Sequence, residues 1–192
     1  MHQQLTRYLQ KFISAPEEEI ERFCQLFQLV EVKRKSLLLR VGEVCRFEAY
    51  VVKGLFKEYH IDSKGNEQIL FFAAEDWWVT DFDSFENGTP SQLYIQALED
   101  SQILQISKED KEKAFKEFPF LHELYHKMTK KTHIALQRRM IENLSKTASE
   151  RYWDYWEKYP HIAKRLSNVQ MAGYLGVSHE FVSKIRKKAF EK

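Results

Sequence analysis

Between about residues 28 and 107 the chain offers five short segments rich in β-branched and aromatic residues: LVEVKRKSLLL, EAYVVKGLFKEYHI, EQILFFA, QLYIQAL and SQILQIS. Turn clusters such as Asp62-Ser-Lys-Gly-Asn66 cut them apart. Gly, Asn and Asp supply the turn conformations, and β-branched residues suit a pleated, half-buried surface. Short strands at this spacing predict a small antiparallel β-roll or barrel. A chain of 192 residues with 43% hydrophobic and 14% aromatic content can give such a roll a core, which excludes global disorder.

The flanks are written for helices. At the N-terminus, Ser14 and Glu17 stand at capping-box spacing, and Pro16 suits an early helical turn. Ile20, Phe23, Cys24 and Phe27 then fall on one face, and the first 26 residues are expected to be helical. After Ser107, residues 108–118 predict a short helix, and Pro119 opens a longer one reaching about Ser145. Leu121, Leu124, Tyr125, Met128, Ala135, Leu136, Met140 and Leu144 form a broad apolar stripe on it, interrupted by Lys131 and Arg138. Such a helix spans about 37 Å, more than a small roll covers, so a second copy of the chain is the expected partner for the remainder.

Composition narrows the compartment. The start MHQQLTRYLQKF is polar and lacks the apolar core of a signal peptide. The longest apolar run, Ile69 to Ala74, is too short to span a bilayer. With only Cys24 and Cys45, no disulfide framework and no cysteine cluster for zinc or iron–sulfur is expected. A cytoplasmic protein without membrane, metal or cofactor is the expectation. Charge is uneven: residues 1–119 hold 15 Lys/Arg against 21 Asp/Glu, and residues 120–192 hold 15 against 7. A basic end on an acidic body points to a polyanionic partner.

The segment LSNVQMAGYLGVSHEFVSKIRKK, residues 166–188, says which end does the binding. Ser167 can cap a first helix that buries Met171, Ala172 and Leu175. Gly176 can end it in a left-handed turn, with Val177 as an apolar plug. Ser178 can cap a second helix whose Val182 and Ile185 face inward. Its outer face then presents His179, Glu180, Ser183, Lys184, Lys187 and Lys188. Two helices on a glycine turn, the second polar and basic, meet the requirements of a helix-turn-helix that enters the major groove. Ser178, His179, Glu180, Ser183, Lys184, Lys187 and Lys188 are the candidate DNA-binding residues. Lys donates to guanine edges or phosphates, and Glu180 can accept from cytosine.

A roll, a long helix and a terminal helix-turn-helix, in that order, resemble the Crp/Fnr family of transcription regulators from about Phe27 to Lys188. The likeness is strongest in GYLGVSHEFVSKIRKK and in VVKGLFKEYHIDSKGNEQ. It implies an α+β chain whose cyclic-nucleotide-binding-like roll (the double-stranded helix) occupies residues 1–118. A dimerisation helix follows over 119–145 and a DNA-binding domain over 146–192. The resemblance also implies a homodimer on a pseudo-palindromic double-stranded DNA operator, RNA polymerase as a possible contact and a small-molecule effector. Where the family's recognition helix starts Ser-Arg-Glu-Thr-Val-x-Arg, this chain has Ser178-His179-Glu180-Phe181-Val182-Ser183-Lys184. Two bidentate arginines are lost, which implies a different operator. The sequence stops soon after this helix, so the β-hairpin wing of many relatives is not expected, and with it some phosphate contacts.

The effector slot departs further. In cyclic-nucleotide-binding relatives a Gly-Glu and an Arg-Ser pair hold ribose and phosphate; the matching positions here are Thr80-Asp81 and Ser91-Gln92. From Gly65 to Ser107 there is no Lys or Arg against eight carboxylates, a poor setting for a phosphate. Cyclic-nucleotide binding is therefore not expected. Trp77, Trp78, Phe82, Phe85 and Tyr94 are expected in the core. The sharper alternative is a pocket lined by Trp78, Asp81, Phe82, Phe85, Ser91 and Tyr94 for an uncharged or cationic effector.

Other function classes are weaker. Residues 122–126, HELYH, match the HExxH zinc-hydrolase pattern, but Lys127 follows directly and no third ligand has the right spacing. His60 alone gives no support for haem. No glycine-rich phosphate loop and no nucleophile elbow occurs, so an enzyme is not expected. A protein-interaction module without DNA binding stays open as the alternative.

Overall fold

The computed structural model describes the backbone of residues 1–190 and the side chains of residues 1–187. Two helices open it, α1 (His2–Leu9) and α2 (Glu17–Cys24), with a break between them. Ser14 does not cap the second helix. Pro16 is its N-cap, extended at ψ 132° and without a side-chain hydrogen bond. A proline disfavours helical backbone in the residue before it, so the helix starts only after Pro16. Glu17, Glu18 and Glu19 then place negative charge against the exposed amides of the first turn.

The strands are β1 (Gln28–Val32), β2 (Leu37–Leu39), β3 (Phe47–Lys53), β4 (Phe56–Ile61), β5 (Glu67–Ala73) and β6 (Trp78–Val79). A short helix α3 (Phe82–Asn87) precedes β7 (Tyr94–Ala97) and β8 (Ser101–Ser107). They form two four-stranded antiparallel sheets, ordered β1-β8-β3-β6 and β2-β7-β4-β5. Gly54 carries the chain from one sheet to the other. Its φ is +111°, and a Cβ there would lie 2.0 Å from Ser101 Oγ, so the crossing requires glycine. Val51, Phe56, Ile95 and Ile103 meet between the sheets.

Ser107 caps α4 (Lys108–Glu117) by accepting from the Asp110 amide. After Pro119 runs α5 (Phe120–Ser145), 26 residues or about 39 Å long. Among the described residues no helix is long and apolar enough to cross a membrane. Only Leu121 and Leu124 of α5 are buried, both in a cluster with α1, α2, α4 and the outer face of the first sheet. Phe120, Tyr125 and Met128 pack partly buried against the same cluster, and the later apolar positions emerge into solvent, Leu144 at 80% and Met140 at 66% exposure.

Beyond a Thr147–Glu150 capping box come α6 (Ala148–Lys158), α7 (Pro160–Ala163), α8 (Asn168–Leu175) and α9 (His179–Phe190). These helices fold back onto the second sheet. Leu55, Tyr59, Ile69 and Phe72 of the roll share one apolar cluster with Tyr152, Tyr155, Ile162, Met171 and Leu175. Gly173 lets α8 lie directly on β5, where an added Cβ would stand 2.8 Å from the Glu67 carbonyl oxygen. In an open helix, Gly→Ala stabilises by about 1 kcal/mol. Here Gly173→Ala should instead destabilise by about 1–3 kcal/mol, because backbone cannot yield as a side chain can. Urea denaturation checks this, and a variant more stable than the parent would contradict the packing.

Candidate nucleic-acid interface and the cassette of the roll

The C-terminal pair of helices is held by local chemistry at each joint. Ser167 Oγ accepts from the Gln170 amide at 3.2 Å, and Gln170 Oε1 accepts from the Ser167 amide at 2.8 Å. The helix so started buries Met171, Ala172 and Leu175. Gly176 ends it with φ +70°, and the Val177 amide reaches back to the Ala172 carbonyl at 3.1 Å. Val177 sits half-buried under the turn. Ser178 Oγ accepts from the Phe181 amide at 3.3 Å and starts α9, which buries Val182 and Ile185.

His179, Glu180, Lys184 and Lys187 are exposed together on the outer face of α9. Glu180 is held below the usual carboxylate range, first by a hydrogen bond from Ser178, and its Oε1 lies 3.0 Å from His179 Nε2. Ser183 differs from the others: it is half-buried and accepts from Asn168 Nδ2 at 2.8 Å, tying the two helices together. The Lys188 side chain lies outside the described residues. Sequence reasoning missed three contributors. Asn168 is the partner of Ser183. Arg186 fastens α9 to α6 through the Tyr152 hydroxyl at 2.8 Å. Phe181, 42% exposed, is an apolar side chain at the edge of the outer face. A phenyl ring there can contact a thymine methyl.

The six residues expected to line an effector pocket do not converge. Trp78 turns to the other side of the roll and packs on Phe27 and Tyr50. Phe82 is neither core nor pocket, being 55% exposed. Tyr94 stacks on Tyr59 with ring centroids 5.1 Å apart. Phe85 is buried between the sheets. Only Asp81 and Ser91 meet. Asp81 N-caps α3 by accepting from the Ser84 amide at 3.2 Å and accepts from Ser91 Oγ at 2.6 Å. Ser84 Oγ in turn donates to the Thr89 carbonyl at 2.6 Å. The Ser84 amide at the start of α3 is thus already taken by a carboxylate.

Behind Asp81 stands a second carboxyl, Glu58, whose Oε2 is buried without a hydrogen-bond partner. Burial, helped by the charge of Asp81, pushes its pKa up to about 8. Two lysines of α4 reach this helix: Lys108 donates to the Glu86 carbonyl at 2.6 Å, and Lys111 is shared by Glu48 at 3.2 Å and Glu86 at 2.9 Å and lies over the Phe85 ring. His60, by contrast, is exposed and touches the Gln92 carbonyl. His122 and His126 are also exposed, and Glu123 between them pairs with Lys127. Among the described residues no group of three or more His, Cys, Asp or Glu could hold a metal ion.

Glu58 gives the fold a pH signature. It keeps its proton in the folded chain up to about pH 8, whereas its ordinary value is 4.5. Folding takes up that proton between the two values, so its contribution is full at low pH and is lost as pH rises through 8, at up to about 1.4 kcal/mol per unit. The neutral Glu58→Gln variant should lack this component and gain stability over the parent from pH 5 to 8. Urea midpoints across that range test it, and parallel curves would contradict it.

A family model, the cyclic nucleotide-binding domain, matches residues 29–118. No curated protein matches the chain in sequence. Among solved structures it is similar to FixK2 from Bradyrhizobium japonicum, at 20% identity and TM-score 0.74, over 86% of this chain and 85% of that one. It is also similar to the regulator CLP from Xanthomonas campestris, at 15% identity and TM-score 0.73, over 92% of each chain. The catabolite activator protein of Thermus thermophilus matches at 17% identity and TM-score 0.59, over 96% of this chain and 87% of that one. At such identities the likeness is one of fold, and it extends through the roll, the long helix and the terminal helices. Residues 29–118 thus match the cyclic nucleotide-binding domain model, and the chain as a whole has the fold of the Crp/Fnr regulators.

Proposed function

We propose that the chain is a DNA-binding transcription regulator that works as a homodimer and does not depend on a cyclic nucleotide. The observation that carries this reading is the α8–Gly176–α9 unit, which buries one side of α9 and leaves His179, Glu180, Lys184 and Lys187 exposed together. An α-helix presented in this way fits the major groove, with Lys and Glu able to read base edges. Two of the similar proteins are described as a global regulator acting on virulence gene expression and as a catabolite activator, which supports the same class.

The dimer rests on α5. Ile134 and Ile141 are 37% and 56% exposed. The two isoleucines stand seven residues apart, and a seven-residue repeat is the spacing of a helix–helix seam. Leu136, Met140 and Leu144, on the same apolar stripe, border a cleft beside the roll. A homodimer would carry two copies of α9 into successive major grooves about 34 Å apart. The absence of cyclic-nucleotide dependence rests on Asp81, a carboxylate where a phosphate would need cations, on Ser91, whose hydroxyl donates to it, and on the buried carboxyl of Glu58 behind it.

The test is footprinting on a bound duplex with the double variant Glu180→Ala, Lys184→Ala. Each base-reading contact is worth about 1–3 kcal/mol, so preference for the site should fall by roughly 100-fold or more with circular dichroism unchanged. Cyclic AMP added to the parent should leave its footprint as it was. An unchanged footprint in the double variant would remove α9 as the reading element.

A further inference from the structure

The seam between the roll and the C-terminal helices treats its arginines in two ways. Arg165 is held by two carboxylates, Glu75 at 2.8 Å and Glu99 at 2.6 Å. Arg139 and Arg151 are held by none. Arg139 donates to the Ile69 carbonyl at 3.0 Å and the Tyr174 carbonyl at 3.4 Å, with its guanidinium 4.2 Å from the Tyr174 ring centroid. Arg151 donates to Asn143 Oδ1 at 2.5 Å and to the Leu175 carbonyl at 3.0 Å, while its Nε is buried without a partner. Among the described residues neither guanidinium forms an ion pair.

Both border a cleft of about 470 Å³ between β5, α5 and α8, which Leu136, Met140 and Leu144 line on their side. That volume suits a small molecule, and an apolar wall with a few convergent polar groups is the usual make-up of such a site. Ile134 and Ile141 are not part of its lining, so the dimer seam proposed for α5 leaves it open. Burial holds Arg139 below its usual range, and the Arg151 charge pushes the same way. Glu142 is the one carboxylate that acts against this at Arg139, and it does so at a distance. Two guanidinium forks without a counter-charge match the geometry of a phosphate or carboxylate.

We propose that this cleft binds a small molecule with a phosphoryl or carboxylate group, the oxyanion between Arg139 and Arg151 and its apolar body against Leu136 and Met140. Such a ligand would touch β5, α5, α6 and α8 at once, and so would fix how the terminal helices sit on the roll. The site does not require the DNA-binding reading to be right.

Thermal denaturation of the full chain, in Tris chloride at fixed ionic strength, tests it with inorganic phosphate and with benzoate as probes. At ten times its Kd a bound probe should raise Tm by about 3–6 °C. A response to phosphate alone assigns a phosphoryl ligand, and one to benzoate alone a carboxylate. Asn143→Asp places a tethered carboxylate against Arg151; it should raise Tm without any probe and abolish the response. Arg139→Gln with Arg151→Gln should also abolish it, whereas Lys184→Ala with Lys187→Ala, on the exposed face of α9, should keep it. No response in the parent overturns the proposal. A response that survives in Asn143→Asp does so too, and this arm stands even where the double arginine variant does not fold.

Discussion

The contact of α8 with β5 is the constraint on which the arrangement of the C-terminal half depends. It exists because Gly173 has no Cβ to strike the Glu67 carbonyl, so a helix can lie against the strand at backbone distance. That approach lets Met171 and Leu175 enter the same apolar cluster as Ile69 and Phe72. Arg165 then clamps the far end of the seam through Glu75 and Glu99, residues 90 and 66 positions away in sequence. Helix α9 inherits its position from this docking, since its own buried residues Val182 and Ile185 complete the cluster.

The roll shows the opposite use of charge. A phosphate cassette needs cations and free amides, yet here Asp81 takes the Ser84 amide of α3 and Ser91 donates to Asp81. Glu58 adds a buried carboxyl that burial keeps protonated. In this segment the polar groups satisfy one another. Uncompensated cationic charge sits instead in the seam, at Arg139 and Arg151.

Much of the secondary structure was legible in the sequence because it is written in local chemistry. Ser107, Ser167 and Gly176 act within three or four residues of themselves, so the starts and stops of α4 and α8 follow from sequence. Proline at 119 marked the start of α5 for the same reason. Ser14 misled because a capping pattern was weighed without the restriction Pro16 imposes on its neighbour. The aromatic run around Trp78 misled because alternation fixes which face a side chain takes only once the strand is placed. Trp78 consequently packs on Tyr50, and Phe82 points to solvent, rather than both lining one pocket. Arg165, Arg139 and the Asn168–Ser183 bond could not be read in advance, because their partners are set by tertiary docking across 15 to 90 residues of sequence.

The central claim is that α9 reads DNA from a two-fold dimer. Selection of bound sites from random duplex DNA tests both halves at once. The account predicts an enriched motif with two-fold symmetry and half-site centres about 10 base pairs apart. Recovery of no motif, or of a single asymmetric one, would contradict it.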